Sequence, residues 1–210
     1  MGSYRRRKLQ CGDVDILITH RDYPKTTPLG AICELVERLK AQNHITHHLT
    51  HVDPDYYRSM PSQDSEFHQS NFPHYPNSQM YMGVFMSPII SGKHRRIDIK
   101  FYPYRERAFA NLYFTGNGYF NRSMRLFVNR RKNMRLNDHG LFTNRGEGKR
   151  IKAKTEEEVF DKLGLVWREP HERDCFDAIR VKENNKVFTI YDEGANKEEW
   201  NSESRHQWIE

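Results

Sequence analysis

Gly12-Asp13-Val14-Asp15-Ile16-Leu17-Ile18-Thr19 is the stretch from which the rest of the chain can be read. An apolar, β-branched run behind an Asp-x-Asp pair predicts a buried strand over residues 14–19, and residues two apart on a strand point to the same side. Asp13 and Asp15 are thus presented together. Like charges so close repel unless a cation lies between them, and a hard divalent ion with oxygen ligands meets that need. A solvated strand edge carries the same pair, so the neighbours decide. Upstream stand Gly2-Ser3 and the cations Arg5, Arg6, Arg7 and Lys8, a Gly-Ser turn whose amides and hydroxyl suit phosphate oxygens while an arginine forks onto them. Downstream, 83 residues after Asp15, Asp98 is the only acid in the β-like run 95–102. There Ile97, Ile99 and Phe101 alternate with Asp98 and Lys100, which puts Asp98 on the polar face. Three carboxylates beside a phosphate-binding turn describe a two-metal phosphoryl-transfer site.

The whole chain is consistent with such a site. Its 210 residues give room for one ordinary domain or two small ones, not a large multi-domain enzyme. Hydrophobic residues are 36% and charged residues 30%, with a mean hydropathy of −0.93, so the core is modest and much of the chain is solvated. No apolar run approaches the roughly 18 residues that suggest a membrane span. The start has no secretory apolar stretch, and Arg6 stands where a myristoylation signal has Ser or Thr, so an intracellular protein is expected. Cys11, Cys33 and Cys175 form no C-x-x-C pair and are read as reduced, structural thiols. The net charge is +6. From Asp174 onward there are five basic and nine acidic residues, leaving 29 basic against 19 acidic before it. A basic body with an acidic tail suggests a polyanionic partner for the body.

The fold class expected is α/β in the α+β sense, with a mixed sheet and flanking helices followed by a smaller α/β unit. Residues 29–41 place Ile32, Leu35, Val36 and Leu39 on one helical stripe, and residues 44–50 and 80–86 are β-like. Residues 106–113 and 117–131 look helical, the second with Phe120, Met124, Phe127 and Val128 inward. Residues 134–143 resemble a hairpin around Asp138-His139-Gly140. Thr155 and Glu158 form a capping box for a helix that stops at Gly164. Residues 51–79, crowded with Pro, Ser, His, Asn and Tyr, read as a long surface loop. In the tail, residues 186–191 are either disordered or one added edge strand.

Gly2-Ser-Tyr-Arg-Arg6, Gly12-Asp-Val-Asp-Ile-Leu-Ile-Thr-His20, Arg95-Arg-Ile-Asp-Ile99, Leu112-Tyr-Phe-Thr-Gly116 and Phe120-Asn-Arg-Ser-Met-Arg125 closely resemble, in this order and spacing, motifs of the family X DNA polymerases. Leu136-Asn-Asp-His-Gly-Leu-Phe142 and Trp167-Arg-Glu-Pro-His-Glu-Arg-Asp174 resemble the lambda branch of that family, which also includes the fungal polymerase called IV. The resemblance spans residues 2–174. It implies a nucleotidyltransferase palm over 1–105, a thumb over 106–174 and an acidic extension over 175–210. It further implies that Asp13, Asp15 and Asp98 hold two Mg²⁺ ions, for which Mn²⁺ substitutes, with Asp98 near the primer 3′-hydroxyl. Gly2, Ser3, Arg6 and Gly12 would bind the triphosphate of a dNTP. Tyr113 and Phe114 would lie against its sugar with Gly116 forming the turn, and Asn121 would face its base. Arg96 would contact the primer terminus of a gapped or primed DNA, and Arg125 the template. The family's setting implies a nuclear, monomeric repair enzyme with no membrane association.

The residues alone support part of this. Between positions 122 and 135, Arg122, Arg125, Arg130, Arg131, Lys132 and Arg135 occur with no acid, a face suited to a phosphate backbone and equally to solvent. Tyr113-Phe114 without its context reads as core. His44, His47, His48 and His51 imitate a zinc site at helical spacing, but their β-like neighbours argue for a strand and no Cys joins them. Cys11 has no base partner in sequence and is read as packing. Two other readings stand beside the polymerase: a nucleotidyltransferase acting on another substrate, and a DNA-binding remnant without catalysis.

The resemblance begins at the Gly-Ser turn, so neither the family's lyase domain nor its fingers are expected in this chain. The purified chain is expected to release no 5′-deoxyribose phosphate from an incised abasic duplex. Its DNA affinity is expected to be weak, because the thumb's cations alone neutralise few phosphates. Nanomolar binding to gapped DNA at physiological salt would contradict the second expectation.

Overall fold

The computed structural model of the chain describes residues 1–50, 79–87, 89, 92–146, 148–175, 178–183 and 186–189. Residues 51–78, expected as a loop, and the tail beyond 189 lie outside the described residues. Gln79, placed in that loop by the sequence reading, instead opens a strand.

The amino-terminal half is a four-stranded mixed sheet with one helix on a face. A single helical turn, α1 (Gly2–Arg5), leads to β1 (Asp13–Ile18), α2 (Ala31–Ala41), β2 (Ile45–His48), β3 (Gln79–Met86) and β4 (His94–Phe101). The sheet order is β1-β4-β3-β2, with β1 parallel to β4 and the other pairs antiparallel. Alternation on β4 decides the faces. Ile97, Ile99 and Phe101 pack with Tyr81 and Ile45 under the stripe Ile32 and Val36 of α2, against which Leu35 and Leu39 are partly buried. Cys33 is buried on the same helix, consistent with a structural thiol. Buried Gln79 pins α2 to β3. Its carbonyl accepts from Ile32 N–H at 3.2 Å and its amide donates to Thr27 Oγ1 at 2.9 Å and Pro28 O at 2.6 Å.

One expectation for β1 is corrected. Val14 and Ile16 share the helix-covered face with Ile97 and Ile99 but are 40% and 38% exposed, because β1 stands at the end of the sheet and α2 covers the strands beyond it. An apolar run of this length is the same whether its strand is central or peripheral, so sequence pattern gave no warning.

The carboxyl-terminal half begins with a 3₁₀ turn (Tyr104–Glu106) and α3 (Arg107–Thr115). The basic helix α4 (Gly118–Lys132) follows. Asn117 caps α4 by accepting from Phe120 N–H at 2.8 Å, and Arg130, Arg131 and Lys132 complement its carboxyl end. The expected hairpin is β5 (Arg135–Leu136) with β6 (Leu141–Phe142), and β7 (Arg150–Ile151), too short to show a period, adds a third strand. Helix α5 (Glu156–Leu163) ends at Gly164 in the left-handed conformation. Its capping box is half formed: Thr155 Oγ1 accepts from Glu158 N–H, but the Glu158 carboxylate accepts from Lys154 N–H at 2.8 Å instead of from Thr155. The tail run forms β9 (Lys186–Thr189), paired with β8 (Arg180–Glu183). Bonds from Val166 N–H to Arg180 O and from Lys182 N–H to Gly164 O tie β8 to the segment after α5. Ala178, Ile179 and Val181 thereby enter the core made by Phe109, Met124, Val128, Leu141 and Phe160.

Arg173 sits inside that core, fully buried. Its guanidinium lies 5.4, 5.5 and 5.0 Å from the rings of Phe120, Phe160 and Trp167 and donates to Glu156 Oε2 at 2.8 Å and Arg168 O at 3.0 Å. Burial pushes the group toward deprotonation and the Glu156 carboxylate opposes it. Glu156 Oε1 also holds Arg5 at 2.6 Å, so this acid joins α1 to the second core. Removing one partner of a buried pair typically costs about 3–5 kcal/mol. Because Arg5 would still partner Glu156, we expect Arg173→Leu to destabilise the chain toward the low end of that range, measured as a reduced urea midpoint.

Candidate active site

Parallel pairing of β1 with β4 sets the site. The register places Asp13 beside Arg96, Asp15 beside Asp98 and Leu17 beside Lys100, so all three aspartates project from one face, opposite α2. The sequence reading required a cation between these charges, and β4 itself supplies two. Arg96 bonds Asp13 and lies 3.2 Å from Asp98 Oδ1, while Lys100 Nζ lies 2.7 Å from Asp15 Oδ1 and 3.7 Å from Asp98 Oδ2. Lys100 is itself buried. It was visible in the alternation of residues 97–101 as the next polar-face position after Asp98, but strand period alone does not say that a lysine will turn inward.

As they stand the carboxylates are drawn to these side chains. Among the described residues no three acid, imidazole or thiol groups converge on one point. The donor set nevertheless fits hard divalent cations: three carboxylates on one face, no soft ligand, and a buried oxygen, Asp98 Oδ1, that meets the Arg96 charge at 3.2 Å but makes no hydrogen bond.

The glycine-serine turn abuts this face. Gly2 is buried with φ at +54°, and a Cβ there would overlap the Asp15 carboxylate, so only glycine lets the turn approach the acid. Ser3 follows, half-buried, in the same turn, and Gly12 is exposed immediately before Asp13. Arg6 reaches across to the second half of the molecule. It donates from Nε to Asp174 Oδ1 at 2.9 Å and from Nη1 to Thr115 O at 2.5 Å. Arg5 bonds the Thr115 hydroxyl. Gly116, at φ +66° and joined to Asn117 by a cis peptide bond, lies against Arg6: a Cβ would stand 3.3 Å from Nη1.

On α3 and α4 the structure gathers Tyr113, Phe114, Asn121 and Arg125. Asn121 donates to Tyr113 O at 2.7 Å, and the Arg125 guanidinium is 5.8 Å from the Tyr113 ring. Phe114 packs edge-on to Tyr113 and Tyr102, with Lys100 Nζ 4.8 Å from its ring. Tyr113, Asn121 and Arg125 line one small concavity with Phe109, Leu112, Met124, Leu136 and Asn137. Of the histidines, His47 and His48 lie in β2, as expected, with His48 Nδ1 3.0 Å from the buried Tyr81 hydroxyl, while His44 precedes the strand and His51 lies outside the described residues.

The residues that sequence reasoning missed are Lys100, Thr115, Asn117 and Asp174. Asp174 accepts from Arg6 and Asn117 on Oδ1 and holds Lys8 at 3.0 Å on Oδ2. No sequence period links residues 168 positions apart.

A mixed sheet with three acids on one strand pair, a glycine-serine turn against them and a basic helical unit behind defines the nucleotidyltransferase class in which a palm is followed by a thumb. The comparisons with known proteins agree. The DNA polymerase beta palm family matches residues 1–104 and the DNA polymerase beta thumb family residues 110–174. DNA polymerase lambda of Rattus norvegicus is 38% identical over 182 residues, covering 82% of this chain and 28% of that protein. DNA polymerase lambda of Arabidopsis thaliana is 35% identical, covering 82% and 31%. The human DNA-directed DNA/RNA polymerase mu is 32% identical, covering 83% and 36%. The chain belongs to the family X DNA polymerases and is lambda-like within it. It spans about a third of the length of these relatives. Among the described residues no helix is long and apolar enough to cross a membrane.

Burial alone would raise the Asp174 carboxyl, but the hydrogen bonds from Asn117 and Lys8 and the charges of Arg6 and Lys8 outweigh it and hold the group below the usual aspartate value. A depressed folded pKa contributes stability above the unfolded value, about 3.9, that is lost as pH falls through the folded one. The thermal stability of wild type over Asp174→Asn is therefore expected to be constant from about pH 7 to 5 and to shrink below about pH 4. Paired melting curves across that range check it.

Proposed function

We propose that the chain is the catalytic part of a DNA polymerase that adds a deoxynucleotide to a primer 3′-hydroxyl during gap filling or end joining in the nucleus. The reading takes the palm as residues 1–105, the thumb as 106–174 and 175–210 as an acidic extension. The observation that carries it is the β1–β4 register, which puts Asp13, Asp15 and Asp98 on one face beside Gly2.

In this reading Asp13, Asp15 and Asp98 hold two Mg²⁺ ions, with Mn²⁺ as a substitute. Bound there, such ions lower the pKa of a coordinated hydroxyl and neutralise charge on the leaving phosphate. The chain's own residues do the rest. Asp98 Oδ1, buried and without a hydrogen bond, accepts the 3′-hydroxyl proton. The new bond joins the 3′-oxygen to the α-phosphorus of the dNTP, and the bond to the bridging oxygen breaks to release pyrophosphate. Gly2, Ser3, Arg6 and Gly12 receive the triphosphate. Tyr113 and Phe114 support the sugar at the Gly116 turn, and Asn121, held to the Tyr113 carbonyl, faces the base edge. Arg96 serves the primer terminus and Arg125 the template strand. Lys100 and Arg96 keep the acids compensated until nucleotide and metal arrive, so a neutral variant of either leaves repulsion unrelieved in the free protein.

Primer extension on a duplex with a one-nucleotide gap tests this. With Mg²⁺, and again with Mn²⁺, wild type is expected to extend the primer by one nucleotide. Asp98→Ala is expected to lose at least about a hundredfold in rate, the scale on which a positioned proton acceptor contributes. Extension of RNA but not DNA would favour the other nucleotidyltransferases. DNA binding without extension by a folded wild-type chain would identify a remnant.

A further inference from the structure

We propose that Asp174, at the end of the matched thumb, is a positioning residue for phosphate recognition by the palm: its carboxylate gathers Arg6 and Lys8 into one ordered cationic pair. The inference rests on the reading of Arg6 as a phosphate ligand given above.

Arg6 and Lys8 lie two residues apart in a connecting segment of the palm, where two like charges on long, flexible stems would move apart. Asp174 prevents that with both its oxygens. Oδ1 accepts from Arg6 Nε at 2.9 Å, and Oδ2 pairs with Lys8 Nζ at 3.0 Å. A third donor, Asn117 Nδ2, fixes Oδ1 at 2.9 Å while the same amide's oxygen caps α4, so the carboxylate is oriented by the helix that carries Asn121 and Arg125. The Thr115 carbonyl takes Arg6 Nη1. Two nitrogens of the guanidinium fork are thus anchored, its plane is set, and Nη2 is the nitrogen that neither bond uses. The Lys8 side chain keeps 49% exposure, so its remaining donors face solvent. Two cations against one carboxylate leave a net positive charge for an anion.

The advantage is pre-organisation. A free arginine side chain must give up its rotamer freedom when it binds phosphate, whereas one held at Nε and Nη1 has already done so. The anchors come from the thumb and the cations from the palm. Phosphate affinity in the palm therefore depends on the docking of the two, without any thumb residue having to touch the phosphate.

Inorganic tripolyphosphate is the probe, because its binding, read by isothermal titration calorimetry, needs no catalysis, metal or DNA. Wild type is expected to bind it, and Asp174→Ala about fivefold to twentyfold more weakly, the scale set by loss of a charge-assisted bond at a partly exposed site. Asp174→Asn, which keeps an oxygen for Arg6 Nε but drops the charge that holds Lys8, is expected to fall between them and carries the test if the alanine variant loses its circular dichroism signature. Acting through Arg6, Asp174 predicts a non-additive cycle: Arg6→Ala weakens binding, and Asp174→Ala on top of it adds at most about twofold. No binding by wild type, unchanged or tighter binding by both Asp174 variants, or a double variant weakened by the product of the single effects would each overturn the assignment. A wild-type chain that shows the non-additive pattern yet extends no primer would overturn the polymerase reading alone. Primer extension with additive binding effects would overturn this assignment alone.

Discussion

Three carboxylates on one face of a two-strand pair repel one another, and much of the amino-terminal half is arranged around containing that repulsion. The parallel register of β1 on β4 brings Asp15 directly beside Asp98, and the flanking positions on β4, Arg96 and Lys100, pair with the acids and offset them. Because the compensating charges lie on the strand that also carries an acid, strand period fixes the spacing of attraction and repulsion together. A shift of one residue in that register would turn the acids into the apolar face under α2.

A second chain of charges joins the two halves. Glu156, at the first turn of α5, stands between Arg5 of the palm turn and Arg173 of the thumb core. Arg173 is enclosed by three aromatic rings, and its plane fits them where the point charge of a lysine would not. Together with Asp174 and the Thr115 carbonyl, these contacts make the palm turn as much a part of the thumb surface as of the sheet. The segment beyond the matched thumb contributes as well, since Ala178, Ile179 and Val181 fill the same core.

Elements with a clear period were legible. The stripe of α2, the inward residues of α4 and the alternation of β4 followed from spacing, and the Asp-x-Asp strand carried its two acids to one side as residue parity requires. The family motifs supplied the connection between sites that no period contains. Features depending on distant partners were not legible. Whether Val14 and Ile16 are covered depends on which strands flank β1, and the capping of α2 by Gln79 spans 47 residues. Strands of two residues such as β7 are shorter than any pattern. That Asp13, Asp15 and Asp98 share one face was legible from charge and spacing, whereas Lys100 needed the burial of one lysine and Asp174 needed the tertiary contact itself.

The position of β1 has a consequence for how firmly the acids are held. Among the described residues it is laddered only to β4, while β4 and β3 each lie between two neighbours. Backbone amides of β1 that point away from β4 are expected to exchange hydrogen with solvent sooner than the laddered amides of β4. Asp98 is thus fixed to an interior strand and Asp13 and Asp15 to an edge strand. The separation between the acids can adjust by small motions of one peripheral strand while the fold around Asp98 stays in place.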